Sequence, residues 1–277
     1  MGIASATLPD VTVIVPAFNA AEWIAQTLTS IQAQTHVAIE VLVADDASND
    51  DTARIVGEFA ARDERVRHLR LPANSGGPAG PRNFALAQAC TTWVAFCDAD
   101  DLWHPQKLEL QLRVAQTESA DLVCTAIQDF VPALPPSPKR AIDPTQPLRV
   151  ECVGLWRLLG KNIIPCSSVL CRRALIAEAG GFDTARELVA VEDYDLWLQL
   201  IERGAKVVKL ELPLVDYRRL PSSLSARKLR MARRALRAVQ RHFSRCGQIW
   251  LLPLAAPILI TSYAFQAVYL RVLRGRL

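Results

Sequence analysis

Apolar and polar residues alternate along this chain in short blocks, and two periods run through them. "VTVIVPA" (11–17) and "IEVLVADD" (39–46) are almost unbroken apolar runs of strand length, as expected for strands covered on both faces. Between them, "AEWIAQTLTSIQAQT" places Trp23, Ile24, Leu28 and Ile31 at helical spacing. A strand–helix–strand unit of this kind predicts parallel strands. The alternation continues with a helix at "DDTARIVGEFAARD", a strand at "VRHLRL", a helix at "GPRNFALAQAC" and a strand at "WVAFCDA". It resumes with a helix at "HPQKLELQLRVAQ" and a strand at "ADLVCTAI". Residues 131–147 are Pro-rich and aperiodic, which predicts a surface loop lying over or near a substrate site. Beyond it the pattern predicts a helix around 151–159, a strand at "SSVLCR" and a helix at "RALIAEAG". A further helix opens at Glu192 and Asp193, carries Leu196, Trp197, Leu200 and Ile201 on one face, and closes at Gly204. The fold class is therefore α/β, a Rossmann-like, mostly parallel central sheet flanked by helices. Its ligands are expected at the carboxyl ends of the strands.

Charge divides this picture in two. From Arg227 to the end there are eleven Lys or Arg and no acid, which leaves 21 bases against 28 acids in residues 1–226. The division predicts a catalytic domain over 1–226 and a basic, apolar tail over 227–277. In the tail, Leu229, Ala232, Leu236, Val239 and Phe243 form one helical stripe among arginines, and residues 246–270 carry no charge. That length suffices to cross a bilayer. Pro253 and Pro257, with bases on both flanks, favour an in-plane or re-entrant anchor on anionic lipid at the cytoplasmic membrane face. The alternative is a hairpin packed on the catalytic domain or on a second copy in a homodimer. The seven cysteines show no CxxC pair and no spacing to a histidine that suits zinc, so they are expected to be free in a reducing compartment. The first residues lack a basic region ahead of an apolar core, so no cleaved signal peptide is expected.

Acidic residues gather where strands end. Asp98, Asp100 and Asp101 follow the run at 93–96. Like charges crowded at a buried strand end are unfavourable unless a cation joins them, and hard oxygen ligands suit Mg²⁺ or Mn²⁺. Asp101 has an alternative use as the cap of the next helix. Asp45 and Asp46 end the second strand, and one of the two is expected to point into the cleft. Asp50 or Asp51 can cap the helix after them. The three glycines of "NSGGPAGPRNFAL" lack the order of a dinucleotide or P-loop motif. Arg82, just inside the following helix, can reach a nucleotide or diphosphate, or else form a surface ion pair. Glu192 and Asp193 read on their own as ordinary acids at a helix start.

Taken in order, "VTVIVPAFNAAEWIAQTLTSIQAQT", "VLVADDASNDDT", "NSGGPAGPRNFAL", "VAFCDADD" and "GGFD…VEDYDLWLQL" closely resemble family 2 glycosyltransferases of the GT-A fold, over residues 10–225. The resemblance implies a nucleotide-diphosphate-sugar donor, a divalent metal, and inversion at the anomeric carbon. It matches Asp46 to the acid that reads the donor base, Asp98 to the ribose-binding acid, Asp100 to the metal ligand and Asp193 to the catalytic base. Pro16, Ala17 and Asn19 match the first nucleotide loop, and Ala99 lies between the two matched acids of the D-x-D. Leu220 stands where many relatives carry a histidine near the donor phosphates. The resemblance also implies a saccharide or lipid-linked acceptor in a bacterial cell-surface polysaccharide pathway. A processive synthase is disfavoured by the absence of Q-x-x-R-W. A sugar nucleotidyltransferase is disfavoured because "VPAFNAAEW" is not its Arg-Lys-containing loop. The rival of another class is a nucleic-acid-binding protein using the arginine-rich helix 227–245; nucleic acid is not the expected partner.

Overall fold

The computed structural model describes residues 9–133, 139–143, 146–220 and 228–262. Its first half is the predicted alternation: β1 (Val11–Ala17), α1 (Ile24–Gln32), β2 (Ile39–Asp45), α2 (Thr52–Arg62), β3 (Val66–Arg70), α3 (Ala79–Leu86) and β4 (Trp93–Phe96). These four strands lie in the order β3-β2-β1-β4, all parallel. Pro16 pairs with Ala44 and Ala17 with Asp45, so the loops leaving β1 and β2 emerge side by side.

The second half comprises β5 (Leu102–Trp103), α4 (Lys107–Thr117), β6 (Leu122–Phe130), β7 (Val150–Cys152), α5 (Leu155–Gly160), β8 (Leu170–Arg172), α6 (Arg173–Glu178), α7 (Glu192–Glu202), β9 (Val207–Arg218) and α8 (Lys228–Arg245). It extends the sheet through β8, β6, β9 and β5, with β7 pairing on β9. The long β6–β9 ladder is parallel, whereas β8, β5 and β7 make antiparallel pairings of two or three residues. The sheet is thus mostly parallel, as expected.

Alternation along the central strands feeds two apolar layers. Val13, Val15, Val41, Val43 and Ala95 face α1 and α2, whereas Ile14, Leu42, Ala44 and Phe96 face α3, α5, α7 and α8. In the second layer Phe96, Phe182 and Trp197 form an aromatic triad with ring centroids 5.2, 6.1 and 6.4 Å apart. At about 25 cal/mol per Å² of apolar surface, such rings are a major share of the local stability.

Several local expectations are corrected. Residues 150–152, expected to open a helix, form β7, and α5 begins at Leu155. The expected strand "SSVLCR" starts as a 3₁₀ turn at Cys166–Ser168, and only Leu170–Arg172 is extended. β9 went unforeseen because its alternation breaks where the register against β6 shifts around Pro213, a bulge that relieves the missing N–H. Parts of the predicted loop 131–147 lie outside the described residues. Within it, Lys139 pairs with Asp216 at 2.5 Å and Gln106 Nε2 donates to the Ile142 carbonyl at 2.8 Å.

The tail also departs from expectation. The boundary near 226 falls among residues that are not described. Beyond it, however, α8 shares the core of the catalytic elements: Ala235, Ala238, Val239 and Phe243 are buried there, joined by Ala255 and Leu259 of the helical residues 252–262. The apolar stripe expected to meet a surface is therefore covered by protein. Its arginines meet the acidic domain as well. Arg241 pairs with Asp183 and with Glu187 (3.3 Å), Arg245 with buried Asp195 (3.0 Å), and Arg234 donates to the Val189 carbonyl (2.6 Å). No helix among the described residues is long and apolar enough to cross a membrane. Residues 263–270 of the uncharged segment lie outside the described set.

Candidate active site

The parallel strands deliver their polar ends to one edge of the sheet. Asn19, after β1, holds a left-handed backbone (φ 48°), and hydrogen bonds brace it against the loop after β2. Its N–H donates to Ser48 Oγ (2.9 Å), and the Asn49 N–H donates to its side-chain oxygen (2.8 Å). Nearby, Asp50 Oδ1 accepts from the backbone N–H of Thr52 (3.0 Å), so Asp50 rather than Asp51 performs the capping at the start of α2.

Adjacent acids at the end of β2 have separate fates. Asp45 is buried and takes up Arg70 (2.6 Å) and the Ser48 N–H (2.9 Å). Asp46, also buried, turns onto the glycine-rich loop, accepting from the Ser75 N–H (2.9 Å), Ser75 Oγ (3.0 Å) and Asn74 Nδ2 (3.1 Å). The glycine-rich loop is thereby tied to the acid matched to the donor base.

At the end of β4 a tight turn closes with the Asp101 N–H on the Asp98 carbonyl (3.1 Å), carrying Ala99 and Asp100 between them. Asp101 does not cap α4, whose N-cap is Gln106. It is buried, accepts from the Arg218 N–H (2.9 Å), and its second oxygen has no hydrogen-bond partner. Burial, followed by the charge of Asp98, pushes the Asp100 carboxyl up to about 6. Burial, followed by Asp100 and Asp98, pushes Asp101 well above its ordinary range. A divalent cation would relieve this crowding, so the residues present fit a hard-metal site centred on Asp100.

Arg218, at the end of β9, flanks the same turn. Its Nε donates to the Asp100 carbonyl (2.7 Å) and its guanidinium lies over Trp23 (4.2 Å) and Phe130 (4.6 Å). Sequence reasoning missed this residue, since only the unforeseen pairing of β9 with β5 brings it there.

Arg82, expected to meet a ligand or a surface partner, is instead buried between two acids. One guanidinium nitrogen reaches Asp98 (2.7 Å) and another reaches Glu192 (2.6 Å). The D-x-D turn and the start of α7 are thus joined through one side chain. α3 also braces the segment between α6 and α7, because Asn83 donates to the Phe182 carbonyl (2.7 Å) and accepts the Phe182 N–H (2.9 Å). Gly181 lies at φ +80°, and a Cβ there would stand 2.7 Å from Asn83 Oδ1, so the turn requires glycine.

Asp193 sits in the first turn of α7 beside Glu192, after Ala190 in a left-handed conformation (φ 71°). Its carboxylate accepts the Tyr194 N–H (2.7 Å) and a long hydrogen bond from Asn162 (3.4 Å). Burial, with the Glu192 charge second, pushes its pKa up to about 7, while Arg82 opposes the rise. A carboxylate poised near neutrality is suited to taking a proton. Asn162 was also missed by sequence reasoning; it lies between α5 and the 3₁₀ turn, where no periodicity marks it.

Comparisons with known proteins bear on the family and the fold. The Glycosyl transferase family 2 model matches residues 12–175. TuaG of Bacillus subtilis, a glycosyltransferase named for teichuronic acid biosynthesis, is 31% identical over 226 residues, covering 82% of this chain and 85% of TuaG. WfaP of Escherichia coli, a UDP-Glc:α-D-GlcNAc-diphosphoundecaprenol β-1,3-glucosyltransferase, is 29% identical over 79% of this chain and 81% of its own. Among solved structures, the mannosyltransferase PcManGT of Pyrobaculum calidifontis, in complex with GDP-Man and Mn²⁺, superposes with a TM-score of 0.65 at 20% identity, covering 94% of this chain and 76% of that one. Residues 1–349 of S. aureus TarS in complex with UDP superpose with a TM-score of 0.63 at 22% identity, covering 85% and 72%. The GT-A fold expected from the sequence is the fold observed.

Proposed function

Since the chain belongs to glycosyl transferase family 2, we propose that it transfers a sugar, with inversion, from a nucleotide-diphosphate-sugar donor to the hydroxyl of a saccharide or lipid-linked acceptor. The observation that carries this reading is the Arg82 bridge from Asp98 to Glu192, which holds the D-x-D turn and the neighbour of Asp193 in one cleft. Loops 16–19 and 45–50 and the 74–77 segment hold the nucleoside, with Asp46 toward the base and Asp98 toward the ribose. Asp100 holds the divalent cation, Mg²⁺ or Mn²⁺, whose chemistry when bound is to stabilise charge on the departing diphosphate. Asp193 takes the acceptor proton as the acceptor oxygen forms its bond to the anomeric carbon and the bond to the diphosphate breaks. Asn162 orients that carboxylate, and burial beside the Glu192 charge holds the Asp193 pKa near neutrality while Arg82 opposes the rise.

The names of TuaG and WfaP support a place in bacterial cell-surface polysaccharide synthesis, and WfaP's acceptor supports a lipid-linked one. Contact with the cytoplasmic membrane face fits an exposed stripe, Trp250, Leu254 and Ile258 at successive helical turns, with Trp156 exposed on α5. Release of nucleoside diphosphate from a panel of sugar nucleotides, with and without Mn²⁺, tests the function. One donor should be turned over only with the metal. No turnover of any donor, or turnover unaffected by EDTA, contradicts the reading.

A further inference from the structure

Far from the D-x-D turn, where the ends of α7 and α8 meet, three potential metal ligands converge. Glu202 closes α7, His242 lies in the last turn of α8, and Cys246 follows one residue after it. One ligand atom from each lies within 4.8 Å of the others. His242 Nδ1 is 3.4 Å from Glu202 Oε2 and 3.9 Å from Cys246 Sγ, and the thiol contacts Glu202 Oε1 at 2.5 Å. Ligand atoms around one tetrahedral zinc stand about 3.3–3.7 Å apart, so small side-chain shifts would seat an ion among them. Sequence reading passed over the site: His242 and Cys246 stand four residues apart, but the third ligand, Glu202, is 44 residues from Cys246 and only the packing of α8 on α7 brings it there.

We propose that Glu202, His242 and Cys246 form a zinc site, separate from the catalytic cation, that clips the end of α8 to the end of α7. One carboxylate, one thiolate and one neutral imidazole carry two negative charges, matching Zn²⁺, and the mixed O, N and S set suits a borderline-soft ion better than Mg²⁺. His242 is buried with Nδ1 turned toward Glu202, and its neutral ring has a lone pair to give. The Cys246 thiol gives up its proton to solvent as the ion binds, as a thiolate ligand must. The neighbouring cation, Arg245, is already taken by Asp195 (3.0 Å). Glu202 is partly exposed and Cys246 is not fully buried, which leaves the fourth position to water. The consequence is mechanical: α7 carries Asp193, the proposed base, in its first turn and ends at the clip.

Titration of the chelator-treated full-length protein with Co²⁺ as a spectroscopic stand-in for Zn²⁺ tests this. A thiolate-to-cobalt charge-transfer band should grow to one equivalent, vanish on adding Zn²⁺, and persist in Asp100→Ala. Cys246→Ser should abolish the band. Glu202→Gln, a near-isosteric change at a partly exposed site, should weaken binding about a hundredfold, at the upper end of the cost of even an outer-shell change. Zn²⁺ should also raise Tm of the wild type but not of Cys246→Ser. A wild type without the band, a band retained in Cys246→Ser, or unchanged affinity in Glu202→Gln overturns the proposal.

Discussion

Arg82 and Glu192 form a buried ion pair at 2.6 Å, each side chain 3% exposed, across 110 residues of sequence. A pair so far from water is stabilised by mutual neutralisation, and removing one member strands the other. Here the arginine also neutralises Asp98, so two acids depend on it. Arg82→Met should cost about 3–5 kcal/mol in urea unfolding. Arg82→Lys should recover only part of that, because an ammonium lacks the planar fork that reaches both acids.

Asp100 is expected to trade stability for metal binding. Its folded pKa of about 6 lies above the ordinary value of 3.8, so the folded state holds the proton more tightly than the unfolded chain does. Stability without metal should therefore fall as pH rises from about 4 to 6 and stay low above. At pH 7 without metal, Asp100→Ala should melt at a higher temperature than the wild type. Mn²⁺ should raise Tm of the wild type by mass action and leave that of the variant unchanged. Differential scanning fluorimetry across pH, with and without Mn²⁺, reads both effects.

The pH profile of kcat/KM should report Asp193. Its carboxyl titrates near 7 and must be ionised to accept a proton, so the rate should rise tenfold per pH unit below about 7 and level off above it. Glu192→Gln removes the neighbouring charge that raises this pKa. The inflection should move to lower pH in that variant even if the plateau falls.

Surface and core roles in the tail can be separated by substitution. Trp250→Ser with Leu254→Ser removes exposed side chains and should reduce co-sedimentation with anionic vesicles while leaving Tm within a degree or two. Phe243→Ala, in the core, should cost about 3–5 kcal/mol. For the same reason a chain ending at 226 should be markedly less stable than the full-length protein, since it uncovers the face of α7.

Much of this was legible in the sequence, and what was hidden has common causes. Continuous apolar runs such as 11–15 and 41–44 declare strands covered on both faces, and acids at their ends declare the cleft. Partner choice leaves no such trace. Arg82 looks alike whether it awaits a phosphate or bridges Asp98 and Glu192, because the answer lies 110 residues away. Asp101 has every local mark of a helix cap, yet its partner is the Arg218 backbone on a distant strand. The stripe on α8 has the period of a helix with one apolar face, and that period is the same whether lipid or α7 covers it. β9 was obscured by its own bulge, and Arg218 with it.

Asp193 as the proton acceptor is the central claim, and one variant tests it most directly. Asp193→Asn keeps the shape and hydrogen-bond acceptor of the carboxylate but cannot take a proton. With the donor identified by the screen, kcat and donor Kd are measured for wild type and variant in saturating Mn²⁺. Loss of a general base predicts a fall in kcat of about a hundredfold or more, with donor Kd unchanged. An unchanged kcat with a weakened donor Kd would contradict the account and make Asp193 a binding residue.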